Sequence, residues 1–182
     1  MSITTRPLTY HDLLQMPDDG KRYEIIDGEL YVSPAPTPKH QELSQRLSLL
    51  IGNHVNNHRL GKLYTAPLDV RLGDHDIVEP DLLFISRERM DIIGATTING
   101  APDLVIEVLS PSTRSRDETL KADLYARSGV REYWLVDPMA RTLVIRVLED
   151  GRWIPAGPAD QPESRVLAGL IIDLNTLFAD VS

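Results

Sequence analysis

No cysteine occurs anywhere in the chain. Its absence removes disulfides, iron–sulfur clusters, thiolate zinc sites and cysteine nucleophiles, and it permits a reducing compartment. Aromatic residues are scarce, 5% of the total with only two Phe and two Trp, which leaves little material for a sugar-stacking cleft. No apolar run approaches the roughly 18 residues of a membrane span, and Met1 to Asp19 lacks a basic start followed by an apolar stretch, so a cytoplasmic protein away from the membrane is expected. Basic residues are the minority: 19 Lys and Arg against 27 Asp and Glu give a net charge of -8. That sign argues against a large electrostatic footprint on nucleic acid, which is built from Lys and Arg. Acidic metal ligands inflate such a count, however, and a basic patch can sit on an acidic protein. Lys39, His40, Arg46, Arg114 and Arg116 are the candidates for one.

What remains is ordinary globular material. The 182 residues, 42% apolar and 25% charged, are enough for one domain with a real core. Thr9 and Asp12 have capping-box spacing ahead of Leu13 and Leu14, predicting a short first helix. Arg22 to Ile26 and Leu30 to Val32 flank Asp27-Gly28, a hairpin signature. Thr37 followed by Pro38 starts a long helix with Leu43, Leu47, Leu50, Ile51 and Val55 at helical period, running to about Asn56. Leu63 to Leu72 and Ile77 to Ile85 read as strands, the second at an edge or bulge because it contains Pro80. Leu104 to Leu109 reads as a central strand covered on both faces. A second helix is expected from about Arg116 to Arg127 with Gly129 as its stop, then a buried strand, Tyr133 to Val136. The pattern predicts a single α/β or α+β domain over 1–182, with a mixed central sheet, a helix on each side, and a C-terminal β-hairpin extension at about 141–182.

Two acids interrupt the apolar strands: Asp81 in Glu79-Pro80-Asp81-Leu82-Leu83-Phe84-Ile85, and Glu107 in Leu104-Val105-Ile106-Glu107-Val108-Leu109. An unpaired buried carboxylate costs several kcal/mol, roughly, so each needs a cation or hydrogen bonds. Side chains alternate along a strand, so Asp81 shares a face with Leu83 and Ile85, and Glu107 one with Val105 and Leu109. On neighbouring strands in register the two acids converge, and Lys121 on the following helix can return to the same spot. Two carboxylates and a lysine are the parts of a metal-dependent phosphodiesterase: the acids hold magnesium or manganese, and the ammonium orients a water or offsets charge. Glu24, on the strand face of Ile26, is a further acid for the metal. His40, at the start of the long helix, could meet phosphate or pack. Tyr125, one turn after Lys121, could hold that lysine or a phosphate, or fill the core. Asp117 could pair with Lys121 or cap the second helix, and Tyr133 and Trp134 read as core residues.

Several ordered stretches carry a resemblance to a known family. They are Tyr23 to Leu30, Pro36-Thr37-Pro38-Lys39-His40, Glu79-Pro80-Asp81, Glu107 to Ser112, Asp117 with Lys121 and Tyr125, and Gly129 to Asp137. Together they resemble the Uma-two family, classed with restriction endonucleases in the PD-(D/E)XK nuclease superfamily. The resemblance implies a restriction-endonuclease-like fold, with Pro80-Asp81 as the "PD" and Glu107 as the second acid. The superfamily's usual lysine would fall at Leu109, which cannot do its work, and the resemblance moves that role to Lys121. The reading is an endonuclease dependent on Mg2+ or Mn2+ that hydrolyses phosphodiester bonds of nucleic acid, with DNA as the expected substrate. Asp81, Glu107 and Lys121 are its catalytic residues, Asp81, Glu107 and Glu24 its metal ligands, and His40, Arg114 and Tyr125 its substrate contacts. Double-strand cutting needs two sites, which suggests a homodimer. The alternative is a catalytically inactive nuclease-fold protein that binds nucleic acid or a protein partner. A glycosidase using the same two acids ranks below both.

Overall fold

The computed structural model describes residues 6–158 and 162–181. The ends of the domain expected over 1–182, and 159–161 within its C-terminal extension, lie outside the described residues.

The Thr9–Asp12 capping box forms: Asp12 Oδ2 accepts from the Thr9 backbone N–H at 2.8 Å, and helix α1, Tyr10–Leu13, follows. Strands β1 (Arg22–Ile26) and β2 (Glu29–Ser33) form the expected hairpin. Its turn uses Asp27 at φ 53° and Gly28 at φ 78°, and a Cβ on Gly28 would sit 2.5 Å from Pro7 Cβ, so only glycine fits. Helix α2 (Pro38–His58) begins at the Thr37 cap, whose hydroxyl accepts from the His40 N–H, and it buries Leu43, Leu47, Ile51 and Val55.

The strands sort into two mixed sheets. One has the order β2-β1-β5-β4-β7 and adds β4 (Val70–Gly73), β5 (Asp76–Val78) and β7 (Ile98–Asn99). The other has the order β11-β10-β9-β8-β6-β3. It is built from β3 (Gly61–Thr65), β6 (Leu82–Ser86), β8 (Leu104–Val108), β9 (Glu132–Asp137), β10 (Thr142–Glu149) and β11 (Arg152–Pro155). Among the described residues, only β4–β7 and β8–β9 pair in parallel. Two expected strands are each divided between the sheets. Leu63 to Leu72 breaks after Thr65, at Ala66-Pro67, and Ile77 to Ile85 breaks at Glu79-Pro80-Asp81. Both breaks carry a proline, which has no N–H to give a ladder. At the second break the Glu79 N–H donates to the Glu24 carboxylate at 3.0 Å instead.

The six-stranded sheet is the centre of the molecule. On one face Leu82, Phe84, Leu104, Ile106 and Trp134 pack against α2 and the C-terminal segment containing Leu167 and Phe178. On the other, Leu83, Val105, Tyr133 and Leu135 meet Leu124 and Tyr125 of the second helical segment, and Ile26, Val70 and Val78 of the smaller sheet. The hairpin β10–β11 belongs to this centre, since β10 pairs with β9 along six residues. The segment after it is tied down by Glu132, which is fully buried. Its carboxylate accepts from Trp134 Nε1 and Ser164 Oγ, both at 2.6 Å, and from the N–H groups of Arg165 and Val166 at 2.8 and 3.1 Å. Helix α5, Leu174–Leu177, closes the described chain.

Between β8 and β9 the chain is helical from Arg114 to Ser128: α3 (Arg114–Arg116), a π-helical turn (Asp117–Lys121) and α4 (Ala122–Ser128). Gly129, at φ 85°, ends it in the left-handed conformation. The wide turn matters because it buries both Asp117 and Lys121, and such turns often occur at functional sites.

Candidate active site

Register brings the two anomalous acids together. Strands β6 and β8 are antiparallel with Leu82 opposite Ile106 and Leu83 opposite Val105, so the next pair outward is Asp81 opposite Glu107. Asp81 is not inside a strand, as its sequence suggests, but at the bend where the chain enters β6 from the other sheet. That freedom lets its Oδ2 accept the Val108 N–H at 2.8 Å and approach His40 Nε2 at 3.0 Å, while Oδ1 takes Arg22 Nη1 at 2.6 Å.

Glu107 projects on the Val105 and Leu109 face. Its Oε1 lies 2.5 Å from Lys121 Nζ and accepts the Tyr125 hydroxyl at 2.8 Å. Lys121 is 2% exposed, so its ammonium is buried among carboxyl groups and not held in solvent. It also lies 2.9 Å from Glu24 Oε1 and 3.8 Å from Asp117 Oδ1. Asp117 sits within the helix and not at its cap; Thr113 is the residue that precedes the first turn. Tyr133 donates from its hydroxyl to the Asp117 carbonyl at 2.9 Å, so this core tyrosine braces the π turn.

These groups line one cleft of about 210 Å³, roofed by the Pro34 to Thr37 loop and the Ser110 to Thr113 loop. Of the expected residues, Asp81, Glu107, Lys121, Glu24 and His40 all face it, and Tyr125 reaches it through Glu107. Arg114 does not: its guanidinium pairs with Asp137 at 2.5 Å and Glu118 at 3.2 Å, outside the cleft lining. Two further cleft residues, Arg22 and Glu79, were not expected as members of the site, and Arg116 was expected only as part of a basic patch. Arg22 bridges Glu79 at 2.9 Å and Asp81 at 2.6 Å. Arg116 lies 3.5 Å from Glu24, donates to Ser33 Oγ, and has a buried Nε with no hydrogen-bond partner among the described residues. Glu79 completes the set.

The electrostatics follow from the census. Five carboxyl groups (Glu24, Glu79, Asp81, Glu107 and Asp117) face three permanent cations (Arg22, Arg116 and Lys121), a surplus of two acidic groups in a low-dielectric cleft where not all of them can ionise together. Burial, and then the carboxylates of Asp117, Asp81 and Glu24, push Glu107 up to about 8 against the pull of Lys121. Burial also lifts Glu79 to about 7, with Asp69 and Glu24 adding to it. At Asp81 burial works the same way, but His40, Arg22 and the Val108 N–H overcome it and hold the acid below its usual range. Lys121 is desolvated, yet Glu107, Glu24 and Asp117 raise it well above an ordinary lysine, so it stays an ammonium.

In this arrangement the carboxylates are gripped by basic side chains, and among the described residues no three His, Asp or Glu side chains gather about one point. Also among the described residues, no helix is long and apolar enough to cross a membrane.

Comparisons with known proteins bear on the fold and the family. An uncharacterized protein of Synechocystis sp. is 28% identical over 138 residues, covering 74% of this chain and 70% of its own. A crystal structure of a "putative nuclease belonging to DUF820" from Anabaena variabilis superposes with a TM-score of 0.76 at 23% identity, over 97% of this chain and 100% of that one. At that identity the match establishes a shared fold. The sequence model of the Uma2 family, described as "putative restriction endonuclease", matches residues 10–175. With nearly the whole chain matched, the protein belongs to the Uma2 family.

Proposed function

We propose that the protein is a metal-dependent nuclease that hydrolyses phosphodiester bonds of DNA. The observation that carries this reading is the meeting of Asp81, Glu107 and Lys121 in a cleft lined by five carboxyl groups against three permanent cations. Carboxylate oxygens in that surplus fit a hard dication, magnesium or manganese. Asp81 and Glu107 would hold it, with the Val108 carbonyl as a further oxygen donor, while Glu24 stays paired with Lys121. So sparse a protein ligand set suits magnesium, which retains waters and binds substrate phosphate. When bound, the ion supplies polarisation of a phosphoryl oxygen and acidification of a water.

The chain's own side chains do the remaining work. Lys121, held as an ammonium between Glu107 and Glu24, orients the attacking water and offsets charge that develops on the phosphorane oxygens. Its origin on the helix accounts for the loss of a lysine at position 109, because a lysine stem of about 6 Å delivers the charge from either element. Arg22 and Arg116 flank the acids and present guanidinium donors suited to backbone phosphates. His40 and Tyr125 act as positioning groups, each donating to one metal-binding carboxylate and fixing its rotamer. Cutting both strands requires a second copy of the cleft, as in a two-fold pair.

Incubation with plasmid and linear DNA in the presence of Mg2+ or Mn2+ tests the proposal. Metal-dependent cleavage that disappears in Glu107→Ala and Lys121→Ala is expected. Cleavage that persists unchanged in Glu107→Ala sinks the assignment, and a protein that neither cuts nor takes up manganese is the inactive nucleic-acid binder.

A further inference from the structure

A second, larger groove of about 630 Å³ adjoins the cleft. Arg22, His40 and Asp81 line both, so the two are continuous across the bend that holds the first acid. One wall of the groove is the exposed side of the N-terminal half of α2, and the other is the end of β3 at Thr65 and Ala66. On α2 the wall is made by Gln41, Ser44, Gln45 and Ser48, whose spacing of three, four and seven residues places them in one stripe. The opposite side of the helix is the apolar stripe of Leu43 and Leu47.

Two features of this stripe bear on what the groove could hold. The stripe itself is neutral; Glu42 beside it also lines the groove, and its carboxylate is paired with Arg46 at 2.5 Å. Its amides are also unengaged: among the described residues, the side chains of Gln41, Gln45 and Ser48 make no hydrogen bond within the chain, and Ser44 meets only His40 Nδ1 at 3.5 Å. A row of unpaired amides beside a phosphodiester-cleaving cleft has the donor and acceptor pattern that reads base edges. A glutamine amide matches the paired N6 donor and N7 acceptor of adenine, and it carries no charge to favour phosphate regardless of sequence.

We propose that Gln41 and Gln45 are specificity-determining residues, which read the bases of the nucleic acid beside the scissile phosphate as it passes from the cleft into this groove. The inference rests on the nuclease reading for its location, and it adds that recognition is built into the catalytic domain. Adenine on one side of the cut is the base expected to be favoured.

The test uses the full chain and a DNA library randomised about a central position. Ends produced by the parent protein with Mn2+ are sequenced and compared with those from Gln41→Ala, Gln45→Ala and the double variant. A base preference confined to one side of the cut, flattened about tenfold by loss of one amide contact, is the expected result. Both side chains are exposed, so the unfolding midpoint should stay in place and a folding defect is easily recognised. Cutting without base preference, or an unaltered preference in the double variant, overturns the proposal. A parallel selection of bound library members by Glu107→Gln protein needs no catalysis. Should the parent fail to cut, a preference in the bound pool that depends on Gln41 and Gln45 upholds the reader while the nuclease reading falls. A bound pool without preference removes the reader.

Discussion

Replacing Lys121 by methionine removes one charge and keeps most of the volume, so its effect reports the electrostatics of the cleft. The ammonium lies 2.5 Å from Glu107, 2.9 Å from Glu24 and 3.8 Å from Asp117, and all four residues are nearly sealed from solvent. Breaking a buried pair by deleting one partner costs about 3–5 kcal/mol, since the other charge is left uncompensated. Here three carboxylates share the lost cation, so the upper part of that range is expected, in a domain whose whole stability is about 5–15 kcal/mol. With a urea slope of about 2 kcal/mol per molar, the midpoint of metal-free protein should fall by about 2 M. Manganese should raise the midpoint of Lys121→Met more than that of the parent, because a more negative cleft binds a dication more strongly. Glu107→Gln is the mirror case. It leaves Lys121 with Glu24 and Asp117, keeps an acceptor for Tyr125, and replaces a carboxyl whose charged form burial disfavours, so metal-free stability should hold or rise by about 1 kcal/mol. A Lys121→Met midpoint equal to the parent's would mean that the ammonium is solvated and that the charge accounting fails.

Three further outcomes are expected. Glu132→Ala strands the Trp134 indole N–H, the Ser164 hydroxyl and two backbone N–H groups; at about 1–3 kcal/mol for an unsatisfied buried group, a loss of at least about 3 kcal/mol in chemical denaturation follows. Asp103 is held below the usual carboxylate range: burial opposes ionisation, but the Ser86 N–H, Arg131 and Arg89 outweigh it. A carboxyl depressed on folding contributes stability above its unfolded pKa and loses it as pH falls through the folded one, so Asp103→Asn should cost stability at neutral pH and flatten the decline on acidification below about pH 4. Tyr125→Phe removes the one hydroxyl that donates to Glu107 while preserving the ring packed against Tyr133. Manganese titration calorimetry should show affinity reduced by about tenfold in a normally folded protein, and unchanged affinity would assign Tyr125 to packing alone.

Much of the fold was legible because it is written locally. Thr37-Pro38 and the leucine stripe announce α2, Asp27-Gly28 announces the hairpin, and Gly129 announces the end of α4. The strands that failed, Leu63 to Leu72 and Ile77 to Ile85, are continuous in apolar pattern and broken by prolines, and pattern alone does not say that the two halves join different sheets. Glu107 stood out because an acid in a strand that is apolar on both faces is costly to bury unless a cation or hydrogen bonds compensate it. Arg22 and Glu79 had no such mark, since an arginine at the start of a strand and a glutamate before a proline are ordinary surface residues in sequence. They become cleft residues only because β1 of the smaller sheet lies against the point where β6 begins.

Local chemistry thus determined which segments would be strands and helices, and that an acid at position 107 needed a partner. Tertiary structure alone decided what the partners would be. The bend at Pro80 turns Asp81 toward His40 and Arg22, the β6–β8 register sets it opposite Glu107, and the π turn directs Lys121 inward. The excess of acidic over basic groups arises from five carboxyl groups on four separate segments of chain. Coulombic interaction depends on distance through space, and no spacing along the sequence encodes that distance.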